Sequence, residues 1–140
     1  MAELSNPMQN QAKKPVRSRQ DETEQTAFEM KFFSDVLERY PDYVDVLRVF
    51  GNLLTNKGHH EESLEVDRRL VRLRPEDATA HYNLACSYCL LRKHEQTLTA
   101  LRKAFELGYN DFRFLRKDRD LESIRQDRRF KVLVREFAGK

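Results

Sequence analysis

Residues 42–75 read DYVDVLRVFGNLLTNKGHHEESLEVDRRLVRLRP, and residues 76–109 read EDATAHYNLACSYCLLRKHEQTLTALRKAFELGY. Within each segment the apolar residues recur at spacings of three and four, the pattern of an amphipathic helix. Gly58, Pro75 and Gly108 interrupt or end this pattern, since glycine and proline are the residues that most often terminate helices. The two segments therefore predict four helices whose short connections make neighbouring helices antiparallel.

The two segments also correspond to each other at a fixed separation of 34 residues, as Pro41 and Pro75 do (75 − 41). Corresponding pairs include Phe50 with Leu84, Gly51 with Ala85, and Leu64 with Leu98. A helix–turn–helix unit that recurs at this period is typical of stacked helical repeats, because one unit cannot bury its apolar face alone. The small residues at 51 and 85 are expected to let the two helices of a unit approach closely.

The helical pattern continues on both sides of these segments. Residues 26–40 predict a helix that ends before Pro41, with an apolar stripe of Phe28, Phe32, Phe33, Val36 and Leu37. Residues 112–117 predict a short helix, 119–125 a turn and 128–138 a last helix. Residues 1–24 are polar and cannot offset their ordering entropy by burial, so they predict a disordered tail. The folded domain is expected over 25–140.

Over about residues 26–111 the chain resembles the tetratricopeptide repeat family. The residues that carry the resemblance are Leu47, Phe50, Gly51, Leu54, Gly58, Leu70 and Pro75 in the first unit, and His81, Leu84, Ala85, Tyr88, Leu98, Leu101 and Ala104 in the second. The resemblance implies an all-α fold, a right-handed α-solenoid of antiparallel helix hairpins. It has about two full units, at 42–75 and 76–109, with a flanking N-terminal helix. Residues 110–138 would form a C-terminal cap, and 115–130 resemble the end-of-group cap of bacterial members.

Asp67 departs from the family pattern, which has an aromatic or large apolar residue at this position. A buried carboxylate is costly unless it is paired, so Asp67 is expected to need a partner such as a nearby arginine.

Composition excludes several classes of protein. The charged fraction is 35%, only four glycines and four prolines occur, and alternating β-branched runs are missing, which argues against an all-β fold. No window approaches the roughly 18 apolar residues of a membrane span, and residues 1–20 lack the apolar core of a secretory signal. Two cysteines and no export signal favour a cytoplasmic location.

The sequence carries no recognisable catalytic or cofactor motif. Cys86 and Cys89 form a single C-x-x-C, with His81 and His94 in positions that resemble packing positions of the family. A structural zinc site needs four convergent ligands, so one pair in the middle of a helix predicts no metal. Common phosphate-binding, hydrolase and protease signatures are missing. We therefore expect no cofactor and no enzymatic activity.

The resemblance also indicates a binding surface, because the first helix of each family hairpin lines a concave groove. The predicted groove contacts are Arg48, Asn52, Tyr82, Asn83, Arg113 and Lys117. Arg48, Asn52, Asn83, Arg113 and Lys117 resemble the two-carboxylate clamp, ordered Lys, Asn, Asn, Lys, Arg, that holds the Glu-Glu-Val-Asp tails of heat-shock chaperones. Cations and amide donors suit a terminal carboxylate.

These observations predict a protein–protein interaction module, an adaptor or scaffold that binds a peptide or helix in the groove. Alternatives are a secretion-type or co-chaperone-like protein that recognises acidic C-terminal tails, and nucleic-acid association through the C-terminal segment. Residues 112–140 hold ten basic and five acidic side chains, which suits an acidic partner. Self-association through an exposed terminal face is open under each alternative.

Overall fold

The computed structural model describes residues 19–139, which are helical except for short connections. Residues 1–18, most of the predicted tail, lie outside the described range. Seven α-helices and one 3-10 helix are described; they are α1 (Arg19–Arg39), α2 (Val44–Asn56), α3 (His60–Leu73), α4 (Ala78–Leu90), α5 (His94–Glu106), α6 (Phe112–Leu115), the 3-10 helix (Arg119–Ile124) and α7 (Arg128–Ala138). Between residues 19 and 139, no helix is both long and apolar enough to cross a membrane.

The first helix begins earlier than the apolar stripe indicates, so residues 19–24 are helical where a tail is predicted. Asp21 and Glu22 lie in its first turn, where negative charge interacts favourably with the helix dipole. Gln25 donates to Glu29 at 2.8 Å one turn later. Polar pairs of this kind stabilise helical residues that no apolar contact holds.

The stripe on α1 is only partly covered. Phe33, Val36 and Leu37 are half-buried, whereas Phe28 and Phe32 are 67% and 53% exposed. Phe28 and Phe32 thus belong to the predicted stripe but lie outside the part of it that is packed. The reason is that α2 is the main helix packed against α1, so the opposite side stays exposed.

The 34-residue spacing is visible in the helix bounds. Val44 and Ala78 begin α2 and α4, and His60 and His94 begin α3 and α5, each pair 34 residues apart (78 − 44 and 94 − 60). Each helix from α1 to α4 packs against the next one in sequence. The spacing therefore marks two equivalent hairpins, α2–α3 and α4–α5, as the sequence predicts.

Three of the connections between helices contain a residue in the left-handed backbone region. Gly58 follows α2 with φ of 82°, and Gly108 follows α5 with φ of 106°. Arg92, 34 residues after Gly58 (92 − 58), has φ of 58° after α4. An arginine is strained in this region, whereas glycine is not.

The close approach predicted at Gly51 is confirmed. A Cβ atom added to Gly51 would lie 3.2 Å from Cγ1 of Val66 on α3, tighter than ordinary van der Waals contact. The equivalent Ala85 is fully buried in the second hairpin.

Asp67 is 6% exposed, but its partner is a hydroxyl group rather than the expected arginine. Oγ of Ser87, on α4, donates to Oδ2 of Asp67 at 2.5 Å. Burial raises the pKa of Asp67 to about 6, although the Ser87 hydrogen bond works in the opposite direction. Ser63 extends this buried hydrogen-bond network: its Oγ lies 3.4 Å from Oγ of Ser87 and 2.6 Å from the hydroxyl oxygen of Thr55.

The C-terminal residues form a cap on the second hairpin. The 3-10 helix packs on α4 and α7 packs on α5, which agrees with the short helix, turn and last helix predicted. The buried apolar side chains of the cap are Leu115, Leu121, Ile124, Phe130, Leu133 and Val134. They shield the apolar face of the last hairpin from water, as terminal caps of stacked helices must.

Candidate functional site

Arg48, the first predicted groove residue, is engaged within the protein. Its Nη2 lies 2.6 Å from Oδ2 of Asp77, a part-buried contact. Asp77 also caps the N-terminus of α4 by accepting from the Ala80 amide at 3.1 Å. Partial burial opposes these bonds, but the hydrogen bonds from Arg48 and Ala80 lower the pKa of Asp77 below its ordinary value. A carboxylate ligand at Arg48 would therefore compete with Asp77.

Tyr82, also predicted to contact a ligand, is only 4% exposed and lies beneath the cap. Its hydroxyl donates to Oδ2 of Asp118 at 2.5 Å, and its ring stacks on Tyr109 with centroids 4.2 Å apart. Burial raises the pKa of Tyr82, so the phenol stays protonated and acts as a donor. Tyr82 thus anchors the cap to α4, where a groove contact is predicted.

The same cap segment covers both cysteines. Sγ of Cys86 lies 3.8 Å from Oδ2 of Asp118, and Sγ of Cys89 lies 3.2 Å from Oγ of Ser123. Ser123 also lies 3.0 Å from Nε2 of His94. The C-x-x-C pair therefore packs against the 3-10 helix instead of lining an open groove.

Cys86, Asp118 and Asp120 bring three groups that could ligate a metal within 4.8 Å of one another. Burial raises the pKa of the Cys86 thiol well above its usual value, and Asp118 and Asp120 raise it further. A metal would need the thiolate and would displace the Tyr82 hydrogen bond from Asp118. The described contacts fit a hydrogen-bonded cluster in which Tyr82 and Cys86 keep their protons.

The other four predicted residues are accessible to differing degrees. Asn52 on α2 is exposed, and Asn83 on α4 is half-buried. Arg113 on α6 and Lys117 just after it are both exposed. Arg113 and Lys117 thus present their charges to solvent at the start of the cap, while the cap covers the part of α4 around Tyr82.

A second surface, which we call the C-terminal groove, lies within the cap, between α7 and the segment that precedes it. It has a volume of about 610 Å³. Apolar side chains form part of it, namely Phe130, Val134 and Ala138, and its basic side chains are Arg116, Arg125, Lys131 and Arg135. None of the described residues that line it is acidic.

The basic side chains of the C-terminal groove are only partly satisfied within the described chain. Nη2 of Arg125 donates to the backbone carbonyl of Asp118, but its buried Nε has no hydrogen-bond partner among residues 19–139. Nζ of Lys131 donates to Gln126 at 2.9 Å, which leaves its charge unneutralised. Arg125 is thus held against the protein by the Asp118 carbonyl, and the exposed cations of the groove are Arg116, Lys131 and Arg135.

Sequence reasoning missed this groove as a site. The available signal is the excess of basic residues over 112–140. Charge alone does not show which cations converge. Arg116 and Arg135 line the same groove only because the segment before α7 folds against α7.

Comparison with known proteins gives partial similarities, and no family model matches the chain. The chain is 36% identical over 90 residues to a chloroplastic protein of Arabidopsis thaliana, an alignment covering 62% of this chain and 27% of that protein. It is 42% identical over 52 residues to the Protein CTR9 homolog of Arabidopsis thaliana, covering 37% of this chain and 5% of that protein. The chain thus spans less than a third of either relative. Together with the all-helical architecture of residues 19–139, these weak similarities point to a helical-repeat protein.

Proposed function

We propose that this protein is a non-catalytic interaction module that binds an acidic segment of another protein. In this proposal the hairpins α2–α3 and α4–α5 are two units of a right-handed tetratricopeptide-type solenoid, which the 34-residue spacing of their helix starts supports. The observation that carries the function is the C-terminal groove, where apolar and basic side chains converge without a lining carboxylate among the described residues.

The chemistry of the C-terminal groove defines its ligand. Phe130 and Val134 are 4% and 6% exposed, so they form the floor of the groove, and Ala138 is its more accessible apolar side chain. Arg116 and Arg135 can form charge-assisted hydrogen bonds with carboxylates of a ligand. Because the groove is already formed, binding requires little rearrangement of the protein.

Four residues predicted from the sequence to contact a ligand are accessible outside the C-terminal groove and could extend the binding surface. Arg113 and Lys117 are exposed beside Arg116, so a longer acidic segment could extend onto them. Asn52 and Asn83 offer amide groups for contacts with a peptide backbone. Arg48 would contribute only if a ligand carboxylate displaced Asp77.

The test compares proteins captured from source lysate by the wild type, by an Arg116→Glu/Arg135→Glu variant and by an Arg72→Glu/Lys57→Glu control. The control makes the same change of net charge at exposed positions outside the C-terminal groove. We expect the groove variant to lose captured proteins that the control retains. Synthetic peptides from their acidic segments should then bind the wild type directly. If both variants retain the same proteins, the C-terminal groove is not the site.

Nucleic acid is a second candidate ligand, favoured by the same excess of basic side chains in 112–140. Phosphate contacts release counterions, so binding of this kind weakens steeply as salt rises. Titration of fluorescein-labelled single-stranded DNA at about 50 and 200 mM salt, where several phosphate contacts would cost roughly 10³-fold or more in affinity, separates it from peptide binding. Tight, steeply salt-dependent DNA binding without an acidic peptide ligand would favour this alternative.

A further inference from the structure

The C-terminal groove contains three exposed cations whose charges no residue of the described chain neutralises. Arg116 and Arg135 form no ion pair and no side-chain hydrogen bond among residues 19–139, and Nζ of Lys131 donates only to the neutral amide oxygen of Gln126. A single unpaired cation is ordinary on a protein surface. Three of them lining one groove of about 610 Å³ produce a local positive potential that attracts an anion.

The acidic side chains of α7 and of its N-cap are paired with cations outside the groove. Glu136 follows Arg135 directly in sequence, but it accepts two hydrogen bonds from the guanidinium of Arg102 on α5, at 2.9 and 3.3 Å. Asp127 caps α7 and accepts from both the amide and the guanidinium of Arg129, each at 2.8 Å. These carboxylates are therefore engaged, and the counter-charge for the groove has to come from a ligand.

Three uncompensated cations define the charge that a ligand must bring. A carboxylate side chain supplies one negative charge and two acceptor oxygens, whereas a phosphorylated serine or threonine supplies about −1.5 to −2 at pH 7 and three acceptor oxygens. The planar guanidinium groups of Arg116 and Arg135 suit phosphate, because each can donate two parallel hydrogen bonds to it. One phosphate and one neighbouring carboxylate would neutralise the three cations, whereas a segment without phosphate needs three carboxylates in the same space.

We propose that the acidic segment bound in the C-terminal groove is phosphorylated, so that phosphorylation of the partner protein switches binding on. This inference rests on the function proposed above, because it specifies the state in which that partner binds. In the complex Arg116 and Arg135 donate to the phosphate oxygens, while Lys131 neutralises a flanking carboxylate. The unmodified segment leaves part of the positive charge of the groove uncompensated and binds more weakly.

The pH dependence of binding distinguishes a phosphate from a carboxylate in this groove. The charged side chains that line it are Arg116, Arg125, Lys131 and Arg135, and none of its described lining residues is histidine or acidic, so its own charge is constant between about pH 5 and pH 7.5. The second pKa of phosphoserine is near 6, so its doubly charged fraction rises from about a tenth to nearly all over this range. Affinity for a phosphorylated segment should rise by up to about tenfold. Affinity for carboxylates should change little, because they are already largely ionised at about pH 5.

Fluorescence anisotropy of the full chain with three labelled peptide mixtures tests this inference. The mixtures share random flanking residues and two fixed aspartates, and their central residue is serine, glutamate or phosphoserine. The wild type should bind the phosphoserine mixture roughly tenfold more tightly than the glutamate mixture at neutral pH, the effect of about one additional charge-assisted hydrogen bond. Arg116→Gln/Arg135→Gln should lose this preference. The control Arg72→Gln/Lys57→Gln, which removes two charges at exposed positions outside the groove, should keep it.

The outcomes separate this inference from the function on which it rests. If the glutamate and phosphoserine mixtures bind equally and Arg116→Gln/Arg135→Gln loses both, the groove binds acidic segments and the role of phosphorylation is refuted. A phosphoserine preference that survives in this variant, or that does not change with pH, would overturn the placement of the phosphate. If no mixture binds the wild type, both proposals fail. Labelled single-stranded DNA that binds the wild type more tightly than the phosphoserine mixture, and is lost in the same variant, would assign the groove to nucleic acid instead.

Discussion

The buried carboxyl group of Asp67 makes the stability of this protein fall as pH rises. Its pKa is about 6 in the folded protein against an ordinary value of 3.8, because burial disfavours the charged form. The folded state thus holds a proton that the unfolded state has released between about pH 4 and pH 6. The shift of about two pKa units corresponds to about 3 kcal/mol of unfolding free energy. This contribution is present below pH 4 and is lost as pH rises through 6.

Replacing Asp67 with asparagine removes this titration while keeping an oxygen that can accept from Ser87. At pH 7 the Asp67→Asn variant should be more stable than wild type by up to about 3 kcal/mol, and at pH 4 the two should be nearly equal. Other groups, such as Asp127 with its pKa of about 2, titrate alike in both proteins, so their effects cancel in the difference.

Urea unfolding at half-unit steps from pH 4 to pH 8 measures this difference. Asp45→Asn, at an exposed position on α2, is the control for the change of net charge. Ser87→Ala is a second probe: the hydroxyl that lowers the pKa of Asp67 is lost, so the pH dependence should become steeper. A difference between wild type and Asp67→Asn that does not change with pH would refute the assignment of a raised pKa to this carboxyl group.

Three further predictions concern single contacts. Arg92→Gly should raise the unfolding free energy by about 1 kcal/mol in urea titrations, because glycine adopts a positive φ without strain. Asp77→Ala should lower it by about 1–2 kcal/mol through loss of the α4 cap and of the Arg48 partner, seen as a lower Tm. Cys86 should react with iodoacetamide far more slowly in the folded protein than in urea at pH 8, because its thiol is buried and its pKa raised; equal rates would contradict this packing.

The helix bounds could be predicted because the residues that end helices are explicit in the sequence. Pro41, Pro75 and Gly108 lie just beyond the ends of α1, α3 and α5, where backbone chemistry alone stops a helix. The start of α1 could not be predicted in this way. Its first turns carry polar pairs, Gln20 with Glu24 and Gln25 with Glu29, and apolar periodicity does not detect such pairs.

The candidate site was less predictable, because it depends on which side chains the cap covers. Tyr82 has the spacing of a groove residue, but Asp118, distant in sequence, accepts a hydrogen bond from its hydroxyl and places the 3-10 helix above it. The sequence shows that Asp118 is acidic and precedes a turn; it does not show that its carboxylate faces α4. Arg48 is a similar case, since Asp77 is recognisable as a helix cap but not as the partner of a cation on another helix.

The cap makes ligand binding at the covered surface of α4 less favourable than binding in the C-terminal groove. For a ligand to reach Tyr82 or Cys86, the 3-10 helix must leave α4 and expose Leu121 and Ile124, both fully buried. Exposing two such side chains costs about 3–6 kcal/mol, which weakens the affinity for that surface by a factor of roughly 10²–10⁴. A ligand of intrinsic nanomolar affinity would then bind there only in the range of about 0.1–10 μM. The C-terminal groove is open with the cap in place, so the same gross interaction energy yields tighter binding there.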